Sequence, residues 1–264
     1  MHAHHPLARA AWLVLAAVLA ACGERPSPSN VQAPGADKRA GTAVLETGAA
    51  VLQDKPPLDA LNAYLDGFHF YSGRIDAQME AHHYCALLND EVIQCVIFDG
   101  NQKSAKLMGV EYIVSERLFR TLPEAEKALW HSHVHEVKSG QLIAPGIPDA
   151  AEHALMKKLV GTYGKTFHTW HTDQQKELPL GTPQLMMGFT ADGQANPALV
   201  DARDRRFEVR SADKRRARED IAAPAIVPGA DAWQQGRALQ LADPTAAPHA
   251  HAPAPPSAPA SAPR

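Results

Sequence analysis

A single compact α+β domain, with a mixed or antiparallel sheet flanked by short helices, is the fold this sequence predicts. Three observations predict it. Between residues 45 and 241 the apolar pattern switches repeatedly between a period of two and a period near 3.6. Residues 78–98 (QMEAHHYCALLNDEVIQCVIF) carry two runs of strand character around Asn89-Asp90, a hairpin signal. The 264-residue chain is 45% hydrophobic, has a net charge of −3 and shows no internal repeat, which suits one ordinary core.

The two ends fall outside that domain. Residues 1–21 have a head whose positive charge comes from Arg9 and its histidines, then an apolar run over 10–21. The run is shorter than the ~20 residues of a spanning helix and no stop-transfer cluster follows, so it reads as a signal peptide. Leu19-Ala20-Ala21-Cys22 matches the bacterial lipobox, which makes Cys22 the expected lipidated (palmitate-bearing) first residue of the mature chain. Gly23, with no Asp at that place, follows the pattern of lipoproteins sent to the outer membrane of a Gram-negative cell. The expected location is therefore lipid-anchored at that membrane, facing the periplasm, with the bilayer as partner. Residues 22–44 are rich in Pro, Ser, Gly and Ala and read as a flexible tether; residues 242–264 read as a disordered Pro/Ala tail, in which His249 and His251 are incidental.

Within the domain, a three-residue hairpin loop of Asn89, Asp90 and Glu91 would set Cys85 directly opposite Cys95. A disulfide is then permitted, with two buried thiols on a core face as the alternative. Residues 106–114 (KLMGVEYIV) read as the next strand, after which Ser115 caps a short helix to Phe119. Thr121-Leu122-Pro123-Glu124 resembles a capping box and predicts a helix over 122–130. Residues 131–140 (HSHVHEVKSG) alternate and predict an extended strand with His131, His133 and His135 on one face. Asp149 is expected to cap a helix that carries Glu152 and His153, and residues 165–172 alternate as a further strand. Residues 178–189 combine a Pro/Gly loop with an apolar strand, a candidate apolar mouth. The stretch 201–220 mixes seven arginines with six acids and reads as a solvated helical arm.

The charge balance removes the electrostatic reason for nucleic-acid binding, and three cysteines make neither a disulfide framework nor a zinc ribbon. No nucleophile elbow, HExxH helix, phosphate loop or dinucleotide fingerprint occurs. Histidine is what stands out: nine of the fourteen lie between His69 and His171. A His-x-His pair on a strand projects two imidazoles to one side, a workable half-site for zinc, iron or manganese. Partners for His131 and His133 are sought in His82 or His83, which point to opposite faces of their strand, in His153, and in the carboxylates Glu111 and Glu136. Cupin sites also begin with His-x-His, but their glutamate and glycine come at longer spacings than Glu136 and Gly140 provide.

The segments LQDKPPL (52–58), HHYC (82–85), QCVIFD (94–99), LMGVEYIVSERLF (107–119), LWHSH (129–133), EVKSG (136–140), YGKTFHTW (163–170), LPLGTPQLMM (178–187) and ADAW (230–233) resemble the oil-body-associated proteins of plants and their bacterial and fungal relatives. The resemblance spans residues 45–241. It implies a domain without an assigned activity, and an oil-body location does not transfer to an exported chain. The family pattern keeps the residues matching His82, His83, His131 and His133, and tends to differ where this chain has His135, His168 and His171. The resemblance therefore narrows the candidate metal ligands read from the residues to His82, His83, His131 and His133, with Glu111 and Glu136 as the nearby candidate catalytic carboxylates and the other three histidines as supporting residues. The expected function is a membrane-tethered protein with a histidine-lined pocket, suited to a divalent metal and to a small or lipid-like ligand. The alternative is a non-catalytic, lipid-associated or structural binding module at the membrane surface. Which of the two, and so whether the chain is an enzyme, stays open at this point.

Overall fold

The computed structural model of the chain describes residues 26–241. The expected signal peptide, Cys22 and the tail over 242–264 lie outside the described residues. The strands are β1 (Ala63–Tyr71), β2 (Arg74–Leu87), β3 (Val92–Phe98), β4 (Leu107–Ser115), β5 (His131–Ser132), β6 (Thr162–His168) and β7 (Gln184–Met187). They run in the order β4-β3-β2-β1-β7-β6, every pair antiparallel, and β6 pairs back onto β4. Six strands thus close into a barrel, and β5 joins β6 beside β7. The expected sheet is antiparallel throughout; its closure, which leaves no long free edge, is not a feature the local sequence pattern contains.

The β2–β3 hairpin turns on the three expected residues. Leu88 N–H donates to the Val92 carbonyl at 3.0 Å, and Asn89 Oδ1 accepts from the N–H groups of Glu91 and Val92 at 2.8 and 2.9 Å. That register places Cys85 opposite Cys95 with their Cα atoms 4.1 Å apart, and the two sulfurs are bonded. Of the two alternatives, the disulfide is the one found. After β4, Ser115 Oγ accepts from Leu118 N–H and caps α3 (Glu116–Arg120). β1, which the sequence analysis does not identify, supplies one of the barrel's central staves, and the exposed helices α1 (Ala40–Leu52) and α2 (Pro56–Asp59) precede it within the stretch read as tether and domain start.

Three local expectations are corrected. The helix over 122–130 shrinks to one turn, α4 (Glu124–Lys127), because Thr121 Oγ1 donates to the Leu118 carbonyl and so does not cap the next helix. The extended strand over 131–140 stops after Ser132, since β6 begins at Thr162 and offers β5 only Gly164 and Tyr163 to pair with. His133 then turns (φ −87°, ψ 1°) into α5 (Val134–Ser139), which ends at Gly140 with φ 80°, a backbone state that favours glycine. Asp149 is not a cap: it opens α6 (Asp149–Leu159), with Pro148 in the cap position.

The charged stretch is the largest correction. Helices α7 (Pro197–Phe207) and α8 (Ser211–Ala217) carry it, yet Arg203 and Arg218 are among the most buried side chains of the described residues. Arg203 donates to Asp66 Oδ1 at 2.9 Å and the Gln141 carbonyl at 2.7 Å, and its guanidinium lies 4.8 Å from the Phe68 ring. Arg218 donates to the carbonyls of Val137 and Leu142 and to Glu152. Most of the stretch is wet, as its mixed sign suggests; two of its seven arginines complete buried networks.

Inside the barrel, Leu65, Cys85, Ile93, Cys95 and Ile113 pack at one end against Val137, Met156 and Leu159 from the helices. Tyr71, Met79 and Met186 pack at the other end. A layer of polar side chains separates them. Near the second end, residues 27–30 are tied to the β3–β4 turn: Ser29 Oγ and Asn30 N–H donate to Asp99 Oδ2 at 2.7 and 3.0 Å, and Ser27 N–H donates to Asn101 Oδ1. Among the described residues no helix is long and apolar enough to cross a membrane.

Candidate metal centre

The polar layer is built from residues far apart in the chain. Inward-facing positions alternate along each strand, so β1 contributes His69, β2 His83, β4 Glu111, β5 His131 and β6 His168. The turn after β5 adds His133, and α5, closing that end, adds Glu136. All seven are buried. The register explains part of the convergence: His83 pairs with Ile97, Ile97 with Gly109 and Gly109 with His168, so one ring of the barrel carries two of the histidines. Two glycines open the space. A Cβ at Gly164 would collide with Glu111 Oε1 and His131 Nε2, and one at Gly188 with Glu136 Oε1.

Glu111 is the hub. Its Oε2 lies 3.1 Å from His83 Nε2, and its Oε1 lies 3.3 Å from both His131 Nε2 and His133 Nε2. His133 Nδ1 is held by Thr162 Oγ1 at 2.8 Å, which fixes the ring with Nε2 toward the carboxylate. His69 sits among the others, its ring centroid 5.0 Å from His83, 5.6 Å from His131 and 5.5 Å from His168. Glu136 Oε1 is 3.8 Å from His131 Nε2. A void lined by His69, His83, Glu111, His133 and Glu136, with Leu65, Ile113, Leu142 and Leu159, has a volume of about 10 Å³, the size of one water.

The two carboxylates differ in charge. Burial would raise the Glu111 pKa, but the imidazoles of His131, His133 and His83 outweigh it and hold the carboxyl well below its ordinary range. Glu136 has no such set of donors: burial pushes it up to about 8, opposed only in part by His131 and reinforced by the charge on Glu111. Burial likewise drives His168 down to about 3 and His69 well below its usual value, so both rings are neutral and offer lone pairs.

The polar atoms of this layer are strikingly short of hydrogen bonds for so buried a place. His69 Nδ1, both ring nitrogens of His83, His131 and His168, and Glu136 Oε1 make none. Such groups cost about 1–3 kcal/mol each when left unpaired. Two donors bound ~2.1 Å from one ion stand ~3.0 Å apart at a right angle and ~3.4 Å apart at the tetrahedral angle, and the His–Glu111 separations of 3.1 and 3.3 Å fall in that interval. The layer has the spacing and the missing partners of a metal centre.

Of the six residues expected at the site, five meet there: His83, His131, His133, Glu111 and Glu136. His82 does not. It faces outward, with Nδ1 2.8 Å from Tyr64 Oη and 3.0 Å from Asp66 Oδ2, under α7 and its Arg203 and Arg206. His82, Asp66 and Glu80 are close enough to suggest an ion, but two guanidinium groups already neutralise the acids. Glu111, expected as a catalytic carboxylate, is engaged by three imidazoles as a ligand would be. His135 turns away on α5 toward Asp192, and His171 bonds Tyr71 and the Thr182 carbonyl. The residues that sequence reasoning undervalued are His69 and His168. The signal for His69 was a histidine between Phe68 and Phe70 in a run buried on both faces.

The family model described as "Protein of unknown function (DUF1264)" matches residues 55–222. Oil body-associated protein 1A of Zea mays is 45% identical over 217 residues, covering 81% of this chain and 91% of that protein. Oil body-associated protein 1B of Arabidopsis thaliana is 41% identical over 215 residues, covering 81% of this chain and 89% of its own length. Oil body-associated protein 2C of Arabidopsis thaliana is 37% identical over 205 residues, covering 76% and 86%. No solved structure matches. With a model spanning most of the barrel and relatives aligned along nearly their whole length, the chain belongs to the DUF1264 family of oil body-associated proteins.

Proposed function

We propose that this protein is a lipid-anchored barrel that holds a divalent metal ion, of the zinc, iron or manganese class, on Glu111 and the histidines around it. One observation carries the reading: His83 and His131 are buried with Nε2 at 3.1 and 3.3 Å from Glu111 but out of line for a hydrogen bond, their Nδ1 atoms are unpaired, and His168 is buried beside them with neither ring nitrogen bonded. An all-nitrogen-and-oxygen donor set suits a borderline or hard divalent ion. Bound there, the ion would acidify a coordinated water, and Glu136 stands where it could exchange a proton with that water. Acylation of Cys22 would place the barrel at the periplasmic face of the outer membrane. The relatives are named for association with oil bodies, and a lipid surface is what the two settings would have in common.

A small or lipid-like ligand does not fit within the layer, because the void beside Glu111 and Glu136 is only about 10 Å³. That closure favours, as a second reading, a metal that serves binding or structure at the lipid surface with no catalysis. Elemental analysis of protein purified without a histidine tag separates the possibilities. The wild type should contain the metal and the His131→Ala/His133→Ala variant should lose at least half of it. A metal-free wild type would overturn the metal reading, and a variant that is destabilised with unchanged metal content would leave these histidines as packing groups.

A further inference from the structure

We infer that the centre is built for two metal ions that share the carboxylate of Glu111. The inference rests on the metal reading above and adds its stoichiometry. The donor atoms form two close sets, His69, His83 and Glu111 in one and Glu111, His131 and His133 in the other, with the atoms of each set within 4.8 Å of one another. Glu111 is the member they have in common. Its two oxygens are divided between them, Oε2 toward His83 and Oε1 toward His131 and His133. A chelating carboxylate presents both oxygens to one ion; a carboxylate that divides its oxygens bridges two.

Each set brings two imidazoles and one carboxylate oxygen, the three protein ligands that leave a position for water. A fourth donor is at hand for either. His168, with both ring nitrogens unpartnered, stands beside His69, and Glu136, with Oε1 unpartnered, stands beside His131. Charge decides whether two ions can share so buried a space. Two divalent ions facing Glu111, Glu136 once it has given up its proton, and one bound hydroxide leave a charge of +1, the same as a single divalent ion facing Glu111 alone.

The test loads the purified full chain with manganese(II), removes free metal and counts ions per chain, with electron paramagnetic resonance on the same samples. Wild type is expected to bind two ions and to give the signal of an exchange-coupled pair. His69→Asn/His83→Asn and His131→Asn/His133→Asn keep polar side chains of similar size, and circular dichroism confirms that each remains folded. Each double variant should bind one ion and show the six-line spectrum of an isolated manganese. Saturation of the wild type at one ion, with either double variant binding none, overturns the two-ion inference and leaves the single-ion reading standing. Binding of no manganese, zinc or iron by the wild type overturns both.

Discussion

Glu111 and Glu136 share one cavity and take opposite protonation states, and the difference is set by their neighbours. Glu136 is raised to about 8 from an ordinary 4.5. As pH climbs between those values the unfolded chain releases this proton and the folded chain keeps it, so folding loses up to ~1.4 kcal/mol per pH unit. Glu136→Gln removes that loss. In metal-free protein the variant should exceed wild type in unfolding free energy at pH 8 by several kcal/mol, and match it near pH 5, as measured by denaturant titration. An equal difference at both pH values would mean that Glu136 is ionised in the folded barrel. Arg203 belongs to a second buried pair, outside the polar layer. Removing it as Arg203→Ala leaves Asp66 buried without its guanidinium partner. The cost should be about 3–5 kcal/mol, read from the same titration, whereas an exposed arginine of that stretch such as Arg216 should cost less than ~1 kcal/mol.

At the scale of elements, the β2–β3 hairpin shows what a sequence can declare. Turn residues, strand runs and the parity of Cys85 and Cys95 all depend on a short stretch of chain, and all were legible. Reducing the disulfide, or replacing it as Cys85→Ser/Cys95→Ser, should lower stability by about 2–3 kcal/mol for a loop of this length. β5 and α5 show the limit. The alternation in HSHVHEV suits a strand, but a strand needs a partner, and β6 supplies one for only two residues. β1 was missed because a stave buried on both faces has no alternation to read, and His69 was missed with it. His82 and His83 were correctly seen to face opposite ways, yet only the folded chain decides which one meets His131.

For the whole molecule, closure joins segments that no local pattern relates: β4 finds β6 and β1 finds β7. The centre exists only when the ring is closed, because its donors come from five different strands and the turn into α5. Ion binding should therefore stabilise the entire barrel cooperatively. The unfolding midpoint of wild type should rise with added manganese or zinc and fall on chelation, and the double asparagine variants should respond less. A midpoint indifferent to both treatments would argue against a centre inside the barrel.

The ties that fasten residues 27–30 to Asp99 and Asn101 set a leash length. Ser27 is five residues beyond Cys22, and five residues span at most ~18 Å when fully drawn out. A membrane graft at Cys22 would thus swing from a short pivot, with the β3–β4 turn as its fixed point. Asp99→Ala cuts that pivot and should raise proteolysis at residues 26–31 while the barrel stays intact. Were Cys22 acylated as proposed, that pivot would hold the rim carrying Asp99 nearest the lipid and the α5 end farthest from it.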